Sequence, residues 1–514
     1  MTPPTTVKAL RRPPFLQLDR RPDGRMQQLG VATFGDYQDV ASPGRSEGIF
    51  AEWNWDGQVL TLRNCRYGHF ALYYHATPER IIVSTSLQTL LEQGAPADLN
   101  DAAIAFFLRR GSYVGEDSPF QAIRQLPANS RGEWRPGRGL QIHRGSLTYR
   151  RQNLTREAAM DGFSTLFKAG VRRRAPRGDA AVPLSGGRDS RHILLALCNE
   201  GYPLKSVLTM RHFPPLADED ARVAALLTEA LGIPHTVLDH APSAVELELR
   251  KNPIMNFATD WSAWFVAALD QLRGRVTEFY SGYGGDAVTR GSLLNLERAE
   301  IWRNGDMGKL ATYMMTQRPV MEVGLKETLG SAAYERFHFD LARERLIEEL
   351  QQHVEQPNPD FFFTFHNALK MRVAPKLFPM CSEVAHIYAP FLDYEVFDLL
   401  ASLPAEMNLD ITFHTEAIHR AFPKYQDVPF VNPKAGLRID PAFFRRYARE
   451  TTHFVLQRQA SEIYDISKVT ERLSGCRVSG DGRLLQWLNP SRILCLLQLE
   501  DTVAAAKSLS NKAS

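Results

Sequence analysis

Pro183-Leu-Ser-Gly-Gly-Arg-Asp-Ser190 is the segment of this 514-residue chain whose residue types and spacing most clearly suit chemistry. Residues 180–184 read as a short buried strand and 190–199 as a helix, so the segment lies on a strand-to-helix turn. Two glycines let the backbone approach an anion, the helix N-terminus offers N–H groups, and Ser185 and Ser190 add hydroxyls. Together they make a phosphate cradle. The GxxxxGK[ST] pattern is missing and no lysine is placed to hold a transferred phosphate, so the loop is not of the Walker type. Asp189 inside the cradle would repel bare phosphate, which points to pyrophosphate carried with Mg²⁺. An ordinary turn would explain Ser-Gly-Gly alone, but not the whole string in this setting.

A second glycine turn, Gly282-Tyr-Gly-Gly-Asp286, follows a predicted strand at 276–281. Residues 282–287 also fit GxGxxA, the mark of a dinucleotide site. That oxidoreductase reading is weaker, because the turn runs on toward Gly291 without a clear helix and the Ser185 loop is left unexplained.

The elements that must position these turns alternate. Helix 190–199 is stopped by Gly201, strand 205–210 follows, helix 218–231 is stopped by Gly232, and strand 235–238 and helix 259–272 come next. Such alternation predicts a doubly wound parallel sheet. Before Arg150, apolar runs at 48–55, 58–62, 69–75 and 80–84 are punctuated by Asp56-Gly57, Tyr67-Gly68 and Thr77-Pro78, which predicts an antiparallel sheet region. Asn100 is a cap for helix 101–110, which Gly111 ends. Helix 155–174 closes on Arg172, Arg173 and Arg174, read as a solvated helix end. Beyond Gly291 the pattern is mostly helical, with an amphipathic stretch at 334–354 and a polar tail from Lys507 expected to fray. The division is into two domains, 1–150 and 151–514.

Composition narrows the class. With 44% hydrophobic residues and only 5 cysteines, the chain can bury a large core and is neither disordered nor disulfide-stapled. The net charge of +3 argues against nucleic-acid or membrane-surface partners. Cys65, Cys198, Cys381, Cys476 and Cys495 form no CxxC pair, and HExxH is absent, so zinc-ribbon, thioredoxin and zincin chemistries fail. The opening residues contain no apolar targeting core, and no run reaches the ~18 apolar residues of a membrane span. A soluble, cytoplasmic protein is the expectation.

The motifs resemble those of the asparagine synthetase and β-lactam synthetase superfamily. Ser185-Gly-Gly-Arg-Asp-Ser190 is similar to its SGGxDS pyrophosphate loop, Asp218-Glu219 to its acidic pair, and Ser281-Gly-Tyr-Gly-Gly-Asp286 to its SGxGxD loop. His235 falls at the family's third strand, and Ala389-Pro-Phe-Leu-Asp393 resembles its PFLD segment. Asn432-Pro-Lys-Ala-Gly436 looks like the RPKxG segment, its lysine 41 residues after Asp393. Cys65-Arg-Tyr-Gly68, Ala71-Leu-Tyr-Tyr74, Ser84-Thr-Ser-Leu-Gln88 and Ile123-Arg-Gln-Leu-Pro127 resemble landmarks of the glutaminase-type domain.

The resemblance implies an α/β fold: a degenerate Ntn-type antiparallel sandwich, then a doubly wound ATP pyrophosphatase domain of the adenine nucleotide alpha hydrolase-like kind, with a helical C-terminal part. It implies ATP as a substrate, held by Leu184, Ser185, Gly186, Gly187, Asp189, Ser190, Met210, Gly282 and Gly284, with Mg²⁺ on Asp189 and Asp286. A substrate carboxylate attacks the α-phosphorus, pyrophosphate leaves, and an amine displaces AMP to give an amide. Lys434 is then the catalytic cation, set to stabilise the adenylate and the tetrahedral intermediate.

Departures from the family bear on the substrate. Glutamine-dependent members expose a cysteine after the initiator Met, whereas Thr2 stands here before Pro3-Pro4 and Cys65 lies deep in a predicted sheet. The first domain is therefore expected to be a structural remnant, and the amine to come from elsewhere. Tyr283 occupies a position where β-lactam-forming members carry a catalytic tyrosine paired with a glutamate; a phenol near pKa 10 needs such a partner to act as a base. The stretch where that acid should fall, Met371-Arg-Val-Ala-Pro-Lys376, has none, and Glu383 comes late, so lining the pocket is the other role for Tyr283. Arg191, beside Arg188, could attract phosphate or an acidic substrate. Expected partners are a small-molecule or peptide carboxylate, with a homodimer left open, and a precursor peptide with its maturation proteins if the enzyme is a lasso-type macrolactam cyclase. An asparagine synthetase without glutamine hydrolysis and a non-catalytic scaffold are the alternatives.

Overall fold

Strand alternation builds the N-terminal half. Among the described residues, ten short strands come first: β1 (Phe15–Arg20), β2 (Met26–Gly30), β3 (Thr33–Gln38), β4 (Ile49–Trp55), β5 (Leu60–Asn64), β6 (Tyr73–Ala76), β7 (Arg80–Ser84), β8 (Arg124–Gln125), β9 (Ser130–Arg135) and β10 (Gly139–Arg144). In β4, Ile49, Ala51 and Trp53 face inward, and in β5 Leu60, Leu62 and Asn64 do, the period of two that a half-buried strand requires. Each buried leucine here contributes roughly 1.5–3 kcal/mol. Asn64 is satisfied by donating to the carbonyls of Leu126 and Pro127 at 2.9 and 2.7 Å.

These strands form two antiparallel sheets, in the orders β2-β1-β7-β6-β8 and β10-β9-β5-β4-β3, whose inner faces share one core. β2 and β3 carry largely exposed, polar residues, so no apolar alternation marked them in the sequence. Helix α1 (Leu87–Glu92) is capped by Ser86, and α2 (Asp101–Arg110) by Asn100, which accepts from the Ala103 amide; Gly111 ends α2 at φ 72°, as expected.

After α3 (Arg156–Arg173) the architecture becomes α/β. The third sheet, all parallel, has the order β13-β12-β11-β14-β15, from β11 (Ala180–Pro183), β12 (Ser206–Met210), β13 (Thr236–Leu238), β14 (Glu278–Tyr280) and β15 (His386–Tyr388). Strand order reverses between β11 and β14. A doubly wound sheet opens a crevice at such a point, beyond the carboxyl ends of the two strands. Helices α4 (Asp189–Asn199), α5 (Glu219–Leu231), α6 (Ala244–Ile254) and α7 (Phe265–Leu272) lie between them in the chain. The computed structural model describes residues 13–41, 47–145, 147, 149–211, 219–239, 243–290, 295–317, 319–409, 412–431, 440–480 and 488–513.

Several expectations are corrected. The helix read as 259–272 starts only at Phe265, because Ser262 takes positive φ and breaks the run, while α6 had no counterpart in the sequence reading. The second glycine turn does lead into a short helix, α8 (Gly285–Arg290). The stretch 334–354 is split into Ser331–Arg336 and Phe339–Gln351, with His338 capping the second helix. Residues from Lys507 to Ala513 continue the helix Pro490–Ala513 rather than fray.

The basic cluster is corrected most. Arg172 is solvated beside Glu200, but Arg174 is only 1% exposed and binds two carboxylates, Asp39 and Asp393. Arg173 also pairs with Asp393, through Nη2 to Oδ1 at 2.6 Å. Burial pushes the Asp393 carboxyl up, but Arg174 and Arg173 outweigh it and hold it below its usual value. The PFLD aspartate thus ties α3 to its own helix, Tyr394–Ser402, whose first turn it caps through the Glu395 amide.

Candidate functional site

Both glycine loops leave strands that flank the reversal point, β11 and β14. Leu184, buried, prolongs the ladder by donating to the Leu208 carbonyl at 2.7 Å, and its own carbonyl accepts from Thr209 Oγ1. The chain then turns into the cradle. Ser185 N donates to Ser190 Oγ at 3.0 Å, Gly187 N to Ser185 Oγ at 3.2 Å, and Gly186 N to Asp220 Oδ1 at 2.7 Å. The three amides of Ser185, Gly186 and Gly187 are therefore held by side-chain oxygens that a phosphate can replace. Met210 ends β12, half-buried, one strand away.

Asp220 was missed in the sequence. Asp218 lies outside the described residues, Glu219 pairs with Arg222 at the surface, and Asp220 alone of the acidic run is shown on the cradle. Its position one residue further into α5 was the available signal.

The second loop abuts the first because Gly282 and Gly285 have no side chains to interfere. A Cβ on Gly282 would stand 2.9 Å from Asp189 Cβ, and one on Gly285 2.4 Å from Asp189 Cγ. Gly284 takes φ +87° against Leu392. Asp189 Oδ2 accepts from the Asp286 amide at 3.0 Å, so the two aspartates meet at the mouth of the crevice, Asp286 exposed. Both supply hard oxygen donors, which suits a Mg²⁺ ion that keeps its waters and shares the phosphates. Among the described residues no cluster of three or more His, Cys, Asp or Glu offers a cage made of protein alone.

Tyr283 turns away from acids. Its hydroxyl donates to the Leu369 carbonyl at 3.2 Å and lies 3.1 Å from Nδ1 of His69, a residue of the N-terminal half. No carboxylate is bonded to it among the described residues. Burial raises its pKa well above that of a free phenol, and burial, with the charge of Lys370, pushes His69 down to about 3.

Arg191 does not face a ligand. It is 1% exposed, lies over the Phe430 ring at 3.9 Å, and spends its guanidinium on the carbonyls of Val428 and Pro429. Burial, then the charge of Arg188, lowers it to about 10. The expectation that it attracts phosphate is thus corrected: it anchors the strand of chain that leads toward Lys434. Val431 N completes the anchor by donating to the Gly186 carbonyl at 2.9 Å. Lys434 itself lies outside the described residues, as does the whole segment 432–439, and Thr2 and Gly291 do too.

A family model for asparagine synthase matches residues 162–425, from within α3 past both glycine loops and the PFLD segment. The chain belongs to the asparagine synthase family. Membership carries the general chemistry of an ATP-dependent, amide-forming ligase, with ATP as substrate. The asparagine synthase match leaves out the two antiparallel sheets and the Lys434 segment. A comparison with curated proteins gave no match. No helix among the described residues of this asparagine synthase family member is long and apolar enough to cross a membrane.

Proposed function

We propose that the chain is an AMP-forming amide ligase that draws its amine from a source other than glutamine. The substrate's carboxylate oxygen attacks the α-phosphorus of ATP, the bond to the β,γ-phosphates breaks, and pyrophosphate leaves. An amine then adds to the acyl-adenylate carbonyl, AMP departs with the electron pair, and the nitrogen loses a proton. The observation that carries this reading is the contact of the two glycine loops at the reversal point of the sheet, where Asp189 packs on Gly282 and Gly285.

Roles follow from placement. Ser185, Gly186 and Gly187 offer their amides to the β,γ-phosphates, and Ser190 orients Ser185. Asp189 and Asp286 would hold Mg²⁺, which when bound neutralises the charge developing on pyrophosphate. Lys434 is proposed as the cation for the adenylate and the tetrahedral intermediate. Tyr283, enclosed and bonded to no carboxylate among the described residues, is assigned to the pocket wall. None of the five cysteines is exposed, and Cys65 is fully buried, which supports an amine supplied by the substrate itself or as ammonia. The carboxylate partner is a small molecule or a peptide; an intramolecular reaction would make the product a macrolactam.

Substrate-dependent exchange of labelled pyrophosphate into ATP, across amino acids, β-amino diacids and peptides, tests the reading. Exchange with one carboxylate class, lost in Asp286→Asn and accompanied by no glutamine hydrolysis, is the expected result. No exchange with any carboxylate and no ATP binding would overturn it in favour of a scaffold.

A further inference from the structure

Building on the nucleotide site proposed above, we infer that His192 and His414 form a buried relay that orients the Asp189 carboxylate. His414, on the helix Thr412–Ala421, and His192, one turn beyond Asp189 on α4, are both fully buried. They are packed among Phe163, Phe167, Phe391 and Phe422. Two polar rings in such surroundings are costly unless they serve each other or a neighbour. They do both: His192 Nδ1 lies 3.1 Å from His414 Nε2, while His414 Nδ1 faces Thr289 Oγ1 at 3.1 Å and Asp189 Oδ1 at 3.5 Å.

Counting donors gives the relay its direction. Thr289 has one hydroxyl proton and donates it to the Gly285 carbonyl at 2.7 Å, so toward His414 it accepts. Asp189, as a carboxylate, also only accepts. His414 therefore carries its proton on Nδ1, which leaves Nε2 of a neutral ring to accept from His192 Nδ1–H. His192 positions His414, whose Nδ1–H bonds Thr289 and faces Asp189 Oδ1 at 3.5 Å, within ion-pair reach. Asp189 then has His414 Nδ1 beside Oδ1 at 3.5 Å, while Oδ2 accepts from the Asp286 amide at 3.0 Å. Partners of this kind, one step removed from a ligand, fix its orientation and are worth about 10–100-fold in metal affinity. The two histidines act through Asp189, so they are positioning residues.

The test is calorimetric binding of α,β-methylene-ATP to the full chain, with Mg²⁺ and with EDTA. In the parent, Mg²⁺ should tighten binding. His414→Ala should cut that gain about tenfold while leaving the affinity in EDTA within about twofold, and His414→Asn, whose amide N–H replaces Nδ1–H, should restore most of it. His192→Leu fills the phenylalanine nest but cannot donate; it guards against a folding defect in the alanine variant and should lower the gain by about threefold. Equal losses with Mg²⁺ and EDTA, or an asparagine variant that behaves like alanine, would overturn the relay and leave only packing. A Mg²⁺ gain unchanged in all variants would overturn it too. A parent that binds the analogue under neither condition would instead remove the nucleotide reading, and the relay with it.

Discussion

Nε of Arg174 lies 2.6 Å from Oδ1 of Asp39, and both side chains are 1% exposed. This pair joins the antiparallel half of the molecule to the parallel sheet. Asp39 ends β3 at φ 53°, donates its amide to the Ile387 carbonyl, and accepts from the Ala389 amide. Gln38 accepts from the Ile387 amide as well. The N-terminal half thus covers the edge of β15, an edge that would otherwise leave backbone groups unpaired. Whatever the amine source, Gln38 and Asp39 are bonded to the edge of the sheet that positions the second glycine loop.

Removing the Asp39 carboxylate should therefore destabilise the whole chain. Asp39→Ala leaves Arg174 buried with half its partners, a loss of about 3–5 kcal/mol. Urea denaturation followed by tryptophan fluorescence would show one transition moved to lower urea. Two separated transitions, or none moved, would mean that the two halves do not depend on this pair.

Gly285→Ala should slow turnover without unfolding. Gly285 has no positive φ and opens a helix, so alanine suits its backbone, yet the added Cβ would stand 2.4 Å from Asp189 Cγ. Displacing that carboxylate by about an ångström should lower pyrophosphate exchange about 10²-fold at nearly unchanged Tm. Gly201→Ala is the contrast: at φ +73° with open space around it, it should cost about 1–2 kcal/mol of stability and leave exchange intact.

Tyr283→Phe separates the wall from the base. Loss of the bonds to His69 and the Leu369 carbonyl should cost about 1 kcal/mol in stability. Amide formation should stay within about twofold, with an unaltered pH profile, whereas loss of a general base would cost about 10²–10⁴-fold.

Glu349 should make the fold sensitive to acid. It is buried; burial raises its pKa, but His353, Arg345 and Asn367 outweigh that and bring it to about 2, against 4.5 for a free glutamate. A folded value below the unfolded one gives stability that is fully present above the unfolded pKa and is lost as pH falls from there toward 2. The amount is roughly 3 kcal/mol. Urea midpoints measured from pH 6 down to the lowest pH at which the chain stays folded should fall steeply in the parent and less in Glu349→Gln.

What could be read before folding was local. The SGGRDS turn between a strand and a helix, the Asn100 cap and Gly111 stop, and the alternation of strands and helices from Ala180 to Ser281 all depend on neighbours within a few residues. The closeness of Asp189 and Asp286, 97 residues apart, followed only from the expectation that parallel strands end side by side. Helices without amphipathic period or clear caps, such as α6 with Pro253 inside it, escaped for the same reason.

Burial and long-range partners were decided only in three dimensions. A run of three arginines gives no sign that Arg174 will find Asp39, 135 residues away, and Asp393, 219 away. Arg191 looked like an anion magnet until Phe430 covered it. Tyr283 has no glutamate near it in the 371–376 stretch of the sequence, and a histidine from the first half of the chain takes the place. A side chain's charge and shape are set by its own formula, so the sequence by itself determined which groups are available. Their desolvation and their partners depend on which distant segments the fold packs together, and that is where the tertiary structure made buried ties of Arg174 and Arg191 and set His192 and His414 behind Asp189.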